Sequence, residues 1–152
     1  MLPLGEANLS SGWRKLDAGA DQLAKSFGNR VPGLYQATVP GESITFRFRG
    51  TTVRIYDLVG PDCGQVSVAV DDQAPVLRAR FDAFCTYHRL ATLSVAEGIP
   101  DALHTVKLTV HAEQPDKVKI LSQRGEKMDD PKRFDGTTWY AGAILIVGEL
   151  VH

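Results

Sequence analysis

From about residue 34 onward the chain alternates apolar and polar positions with a period of two. In "SITFRFRG" Ile44, Phe46 and Phe48 share one parity, and Thr45, Arg47 and Arg49 the other. In "GQVSVAVDD" Val66, Val68 and Val70 alternate with Ser67, Ala69 and Asp71. In "HTVKLTVHA" Val106, Leu108 and Val110 alternate with Thr105, Lys107, Thr109 and His111. Successive side chains of a strand point to opposite faces, so each run predicts a half-buried strand. The runs are rich in β-branched and aromatic residues, which suit a pleated surface.

Turn residues divide these runs at short intervals: Pro40-Gly41, Arg49-Gly50, Gly60-Pro61-Asp62, Asp71-Asp72, Gly98, Pro100-Asp101 and Pro115-Asp116. Such punctuation predicts an all-β antiparallel sandwich of about eight strands with little helix. Residues 34–152 are expected to form that sandwich. Residues 1–33 are expected to be irregular and to wrap it, with one short helix at most around Trp13, Leu16, Leu23 and Phe27. The whole is one domain.

The last run, "TTWYAGAILIVGEL", breaks the alternation. Trp139, Ala141, Ala143, Leu145 and Val147 are apolar on one parity, and Tyr140, Ile144, Ile146 and Leu150 on the other. A strand with one wet face does not read this way. The N-terminal segment is the default cover for its second face. A homodimer through this strand or a neighbouring domain are the alternatives.

Composition adds exclusions. The chain has 152 residues, 43% of them apolar and 23% charged, with 17 basic and 18 acidic residues intermixed. No basic stripe appears, so nucleic acid and anionic membranes are not expected as partners. No apolar run is long enough to span a bilayer. The N-terminus "MLPLGEANLSSGW" lacks the regions of a signal peptide, so the expectation is a cytoplasmic chain or one that begins after its signal. The second case is compatible with a secreted or periplasmic parent. Cys63 and Cys85 make no disulfide framework and are read as buried thiols, one bridge between them being the alternative.

Candidate chemistry is sparse. Nucleophile elbows, phosphate loops and Cys-x-x-Cys are all missing. His104 and His111 lie at odd separation on one strand and face opposite ways, a poor metal pair. The densest candidate is "FDAFCTYHRL", with Asp82, Tyr87, His88 and Arg89. Asp82, His88 and Arg89 could support acid–base work in a small stand-alone hydrolase. Asp57 has the parity of Val53 and Ile55, and Arg89 that of Leu93. The two are therefore expected to form a buried structural pair. Gly60-Pro61-Asp62-Cys63-Gly64 reads as a turn between antiparallel strands, and Asp71-Asp72 as a hairpin turn. Asp62, Asp71 and Asp72 are weak candidates for a structural calcium, the one cofactor considered. Arg78 and Arg80, with Arg47, Arg49 and Arg54, read as a solvated face.

The blocks "PGESITFRFRGTTVRIYDLVGPDCGQVSVAVDD", "RFDAFCTYHRL", "HTVKLTV" and "WYAGAILIVGEL" resemble the N-terminal jelly-roll, galactose-binding-like domain of bacterial SGNH/GDSL-type hydrolases of the carbohydrate-esterase kind. The resemblance covers about residues 30–150. It implies a non-catalytic accessory module beside a separate hydrolase domain. The nucleophilic serine, its histidine and the oxyanion groups belong to that other domain, so no catalytic residue carries over. The implied partners are carbohydrate or the linked hydrolase. Tyr56, Tyr87, His88, Arg89, Trp139 and Tyr140 are the candidates for a sugar surface, since aromatic rings offer a flat apolar face beside a polar group.

Overall fold

The computed structural model describes residues 1–152 throughout. Its strands are β1 (Leu2–Pro3), β2 (Asn8–Leu9), β3 (Arg14–Lys15), β4 (Tyr35–Ala37), β5 (Ser43–Val59), β6 (Gln65–Val70), β7 (Val76–Ala79), β8 (Arg89–Ala96), β9 (Ala102–Val110) and β10 (Trp139–Val151). Three short helices interrupt them: α1 (Gln22–Phe27), α2 (Lys117–Ser122) and α3 (Pro131–Phe134). The protein is all-β and every pairing between these strands is antiparallel.

One ten-stranded sheet runs β3-β4-β10-β5-β9-β6-β7, with β8 and β2 on β5 and β1 on β10. The long strand β5 organises it. Its first half pairs with β9 and its second half with β8, while β10 follows its other edge through most of its length. The two strands cross glycine against glycine at Gly50 and Gly148, beside a register shift. A Cβ on Gly148 would strike the Arg49 carbonyl, and its φ of +137° suits glycine alone.

The halves on either side of this crossing enclose one core. Phe46, Phe48, Val66, Val68, Val106 and Leu108 come from one half, and Val53, Ile55, Leu93, Trp139 and Ile144 from the other. Those of β5, β6, β8 and β9 are the inward positions of an alternation of period two. Trp139 and Ile144, of opposite parity, both reach the core because the register shifts between Ala141 and Ala143.

The second face of β10 is covered by the N-terminal segment over the first part of the strand, while Val147 further along stays exposed. Tyr140 packs with Leu16, Ala24, Leu34, Leu58 and Cys63. That segment is less irregular than its sequence suggests: β1, β2 and β3 all join the sheet. Two-residue strands are too short to show a period. A third cluster, Val59, Phe81, Cys85, Leu121 and Phe134, closes one end of the sandwich beneath α2 and α3. Asp116 and Asp130 cap those helices by accepting from the Lys119 and Lys132 amides.

Candidate functional site

The polar side chains singled out by sequence gather at the capped end, around three aspartates. Asp57 lies near the end of β5 on its inward face and is fully buried. Arg80 grips it with two hydrogen bonds, Nε to Oδ2 and Nη2 to Oδ1, each 2.7 Å. Trp139 Nε1–H donates to Oδ2 at 2.8 Å. Burial pushes the Asp57 carboxyl above its usual value, while Arg80 and Trp139 pull it back.

The expected Asp57–Arg89 pair does not form. Arg89 opens β8 opposite Val59, and the preceding turn brings Asp82 back onto it. Arg80 takes the place instead: it follows β7 directly and shares the parity of Arg78, which lies opposite the inward Val66. Arg80 is therefore buried rather than on a solvated face.

Asp62 sits in the break after β5. This break is no hairpin, since β5 and β6 are not neighbours; the chain crosses to the far side of β9. His88 Nε2–H donates to Asp62 Oδ1 at 2.7 Å, and the Tyr140 hydroxyl donates to Oδ2 at 2.5 Å. The His88 and Tyr140 rings meet edge to face with centroids 5.4 Å apart. Gly60 permits this approach, because a Cβ there would occupy the space of the imidazole. Burial raises the Asp62 carboxyl, but the two hydrogen bonds and the His88 charge outweigh it and leave its pKa below the usual carboxylate value. Burial and the neighbouring Asp62 push the Tyr140 hydroxyl well up.

Beneath this hub lies Lys117, whose ammonium is buried. It donates to the carbonyls of Pro61 (2.9 Å), Phe134 (2.6 Å) and Gly136 (3.2 Å), tying the break to the approach to β10. Desolvation lowers its pKa.

Asp82 organises the 82–89 turn. Its carboxylate accepts from Arg89 Nη2 at 2.5 Å and Nη1 at 3.1 Å, and from the Phe84 amide at 2.9 Å. Cys85 Sγ lies 3.3 Å from it, and burial pushes that thiol up to about 11. Both cysteines are free and buried. The turn shows two rings to solvent, Phe84 at 47% and Tyr87 at 56% exposure. The Arg89 guanidinium stands 5.6 Å from the first ring and 5.8 Å from the second, and Arg124 lies 3.9 Å over Phe84.

The six candidates for a sugar surface therefore separate. Tyr87, His88 and Arg89 share the turn and remain at least partly exposed. Trp139 and Tyr140 are 1% and 4% exposed and serve as buried donors to Asp57 and Asp62. Tyr56 lies near the end of β5 on its outer face, across from Thr92 and Ala143. The trio Asp82, His88 and Arg89 does not assemble, since His88 turns to Asp62 instead. Of the calcium candidates, Asp62 and Asp71 each engage both oxygens with donors of the chain, and Asp72 lies on the exposed turn.

Sequence reasoning missed Arg80, Lys117 and Phe84. A carboxylate with core parity signals that some cation must be buried too, and Asp57 gave that signal for Arg80. Lys117 gave none, because lysine is almost never fully buried.

No protein-family model and no curated protein matches the sequence. Solved structures do resemble the fold. A two-domain esterase active on acetylated mannans, co-crystallised with mannopentaose, superposes with TM-score 0.56 and 14% identity over 96% of this chain and 37% of its own. A family two carbohydrate esterase from Cellvibrio japonicus gives TM-score 0.52 and 10% identity over 95% of this chain and 33% of its own. The chain thus spans about a third of the length of these esterases, and shares with them a fold.

Proposed function

We propose that this chain is a non-catalytic accessory domain of a polysaccharide-active SGNH-type esterase, and that it holds carbohydrate at the 82–89 turn. One observation carries the reading: Phe84 and Tyr87 present exposed rings 5.6 and 5.8 Å from Arg89, which Asp82 holds in place, and Arg124 lies over the Phe84 ring. Sugar C–H faces pack on such rings, and a guanidinium donates to hydroxyls. His88 is fixed by its Nε2–H bond to Asp62, and its Nδ1 makes no hydrogen bond within the chain. Fixing these groups from beneath lowers the ordering cost of binding. The same locking argues against chemistry. The Tyr140 hydroxyl and Cys85 thiol are both pushed up, and neither is a nucleophile at neutral pH.

Calorimetric titration with mannopentaose, and with neutral and acidic polysaccharides, tests this. Saturable heat that disappears in Tyr87→Ala, with the melting temperature unchanged, supports it. A second reading is favoured by the occurrence of this fold as about a third of longer esterase chains. In it the same rings pack on a linked hydrolase domain. Silence toward every glycan, with Tyr87→Ala weakening association with an esterase domain supplied in trans, selects that reading.

A further inference from the structure

Strand β7 carries its side chains inside out. Arg78 lies opposite Val66 and Val76 opposite Val68 in the β6–β7 ladder. Residues opposite one another share a face, and Val66 and Val68 face the core. Arg78 and Val76 therefore lie on the core side of the hairpin and Leu77 on the other, with Ser67, though all four β7 residues remain exposed at this sheet edge. Arg80, two residues on, uses the same inward parity to reach Asp57. Arg78 reaches nothing of the kind: its guanidinium makes neither a hydrogen bond nor an ion pair with the chain.

It faces a cavity of about 280 Å³ between the β6–β7 hairpin and the β8–β9 side of the sandwich. Val68 and Ala96 form the buried floor, and Val70, Val95 and Ile99 the walls. β7 and β8 are both edge strands, so no further strand covers the opening. At one end Asp71 and His104 satisfy each other at 2.7 Å. The cavity is thus lined mainly by aliphatic side chains, with Gln73 and the Asp71–His104 pair at its polar edge and Arg78 as a cation without a partner in the chain.

We propose that this cavity binds a small monocarboxylic acid with an apolar body, its carboxylate on Arg78 and its body against the valines. A carboxylate matches the planar guanidinium fork, and an aliphatic lining rewards burial of a hydrocarbon group. A free sugar would lose hydration of its hydroxyls where it met Val68, Val70, Val95, Ala96 and Ile99. A phosphate would bring two charges to a single cation. The site is separate from the 82–89 turn and stands whether or not that turn binds carbohydrate.

Amide chemical-shift titration of the full chain at neutral pH tests it, with hydrocinnamate as the probe. Its uncharged amide and glucuronate serve as comparisons. Saturable shifts at Val68, Val76, Ala96 and Ile99 are expected with hydrocinnamate. Binding should weaken by about tenfold or more in Arg78→Gln and with the uncharged amide, the worth of a charged hydrogen bond. Arg78 is exposed and unpaired, so the variant is expected to fold as the parent does. Absence of saturable shifts, equal binding by Arg78→Gln, or glucuronate binding as well as hydrocinnamate would each overturn the proposal.

Discussion

Asp57 and Arg80 form a two-armed ion pair inside the sandwich, both contacts at 2.7 Å, with the carboxylate fully buried. A buried charge whose partner is removed is costly, whereas replacing both partners with apolar groups is often neutral. Arg80→Met should therefore lose about 3–5 kcal/mol of unfolding free energy. The double variant Asp57→Leu/Arg80→Met should recover a large part of that. Arg89→Met breaks only the partly exposed pair with Asp82 and should cost about 1 kcal/mol or less. Urea unfolding of the four proteins checks this. An Arg89 variant as damaged as the Arg80 variant would contradict the pairing.

Lys117 does for three loop carbonyls what a bound cation does elsewhere. Lys117→Met fills the same space but leaves the Pro61, Phe134 and Gly136 carbonyls without their donor. Each buried acceptor left unsatisfied costs about 1–3 kcal/mol. The loss should be local before it is global, because these carbonyls join the 60–64 break to the 134–138 approach. Hydrogen exchange should show amides such as Thr138, which donates to Asp62 O, opening sooner than those of β5 and β9. Uniform protection in the variant would contradict this.

The crossing of β5 and β10 is a backbone contact. Gly148→Ala forces a Cβ into the Arg49 carbonyl at a φ that L-residues avoid. The expected cost is about 1–3 kcal/mol or more. Thermal unfolding measures it, and a melting temperature equal to the parent's would refute the account.

The sheet was legible because its code is local. Ile44, Phe46 and Phe48, or Val106, Leu108 and Val110, announce an inward face by alternation alone, and the structure buries them. The two-sided apolar character of β10 requires a cover, and the structure supplies one for Trp139–Ile144 but leaves Val147 exposed. Three other features were hidden for physical reasons. Parity gives the face of a side chain but not its distance to a partner, so Asp57 was matched with Arg89. β7 has four residues, all exposed, too few to reveal that Arg78 and, just beyond the strand, Arg80 take the core parity rather than Leu77. The Gly60–Gly64 break has the composition of a turn, yet Asp62 is held there by His88 and Tyr140. They lie 26 and 78 residues away, and no local pattern records such a meeting.

The dependence of stability on pH should have two limbs with different owners. His104 has an acceptor at each ring nitrogen: Asp71 Oδ2 at Nδ1 and the Pro100 carbonyl at Nε2, both at 2.7 Å. Only the imidazolium donates at both. The Pro100 carbonyl first, then Asp71 and more weakly Asp101, raise the His104 pKa, and the Phe48 ring packs beside it at 5.2 Å. The folded state thus holds this proton more tightly than the unfolded chain does. Its stabilisation is complete below about pH 6.5 and is lost as pH rises through the folded value. Asp71, Asp62 and Asp82 run the other way. Their pKa values are lowered in the fold, so their contribution is present above about pH 4 and is lost as pH falls through the folded values. Melting temperature against pH should therefore decline on both sides of a mildly acidic maximum. His104→Gln should flatten the near-neutral part of the alkaline limb, leaving in place the acid limb and the loss at higher pH from the raised Cys85 and Tyr140. Direct titration of the His104 ring by proton NMR provides the independent check. An apparent pKa at or below the ordinary histidine value would mean that the ring does not hold both acceptors at once, and the alkaline limb would need another owner.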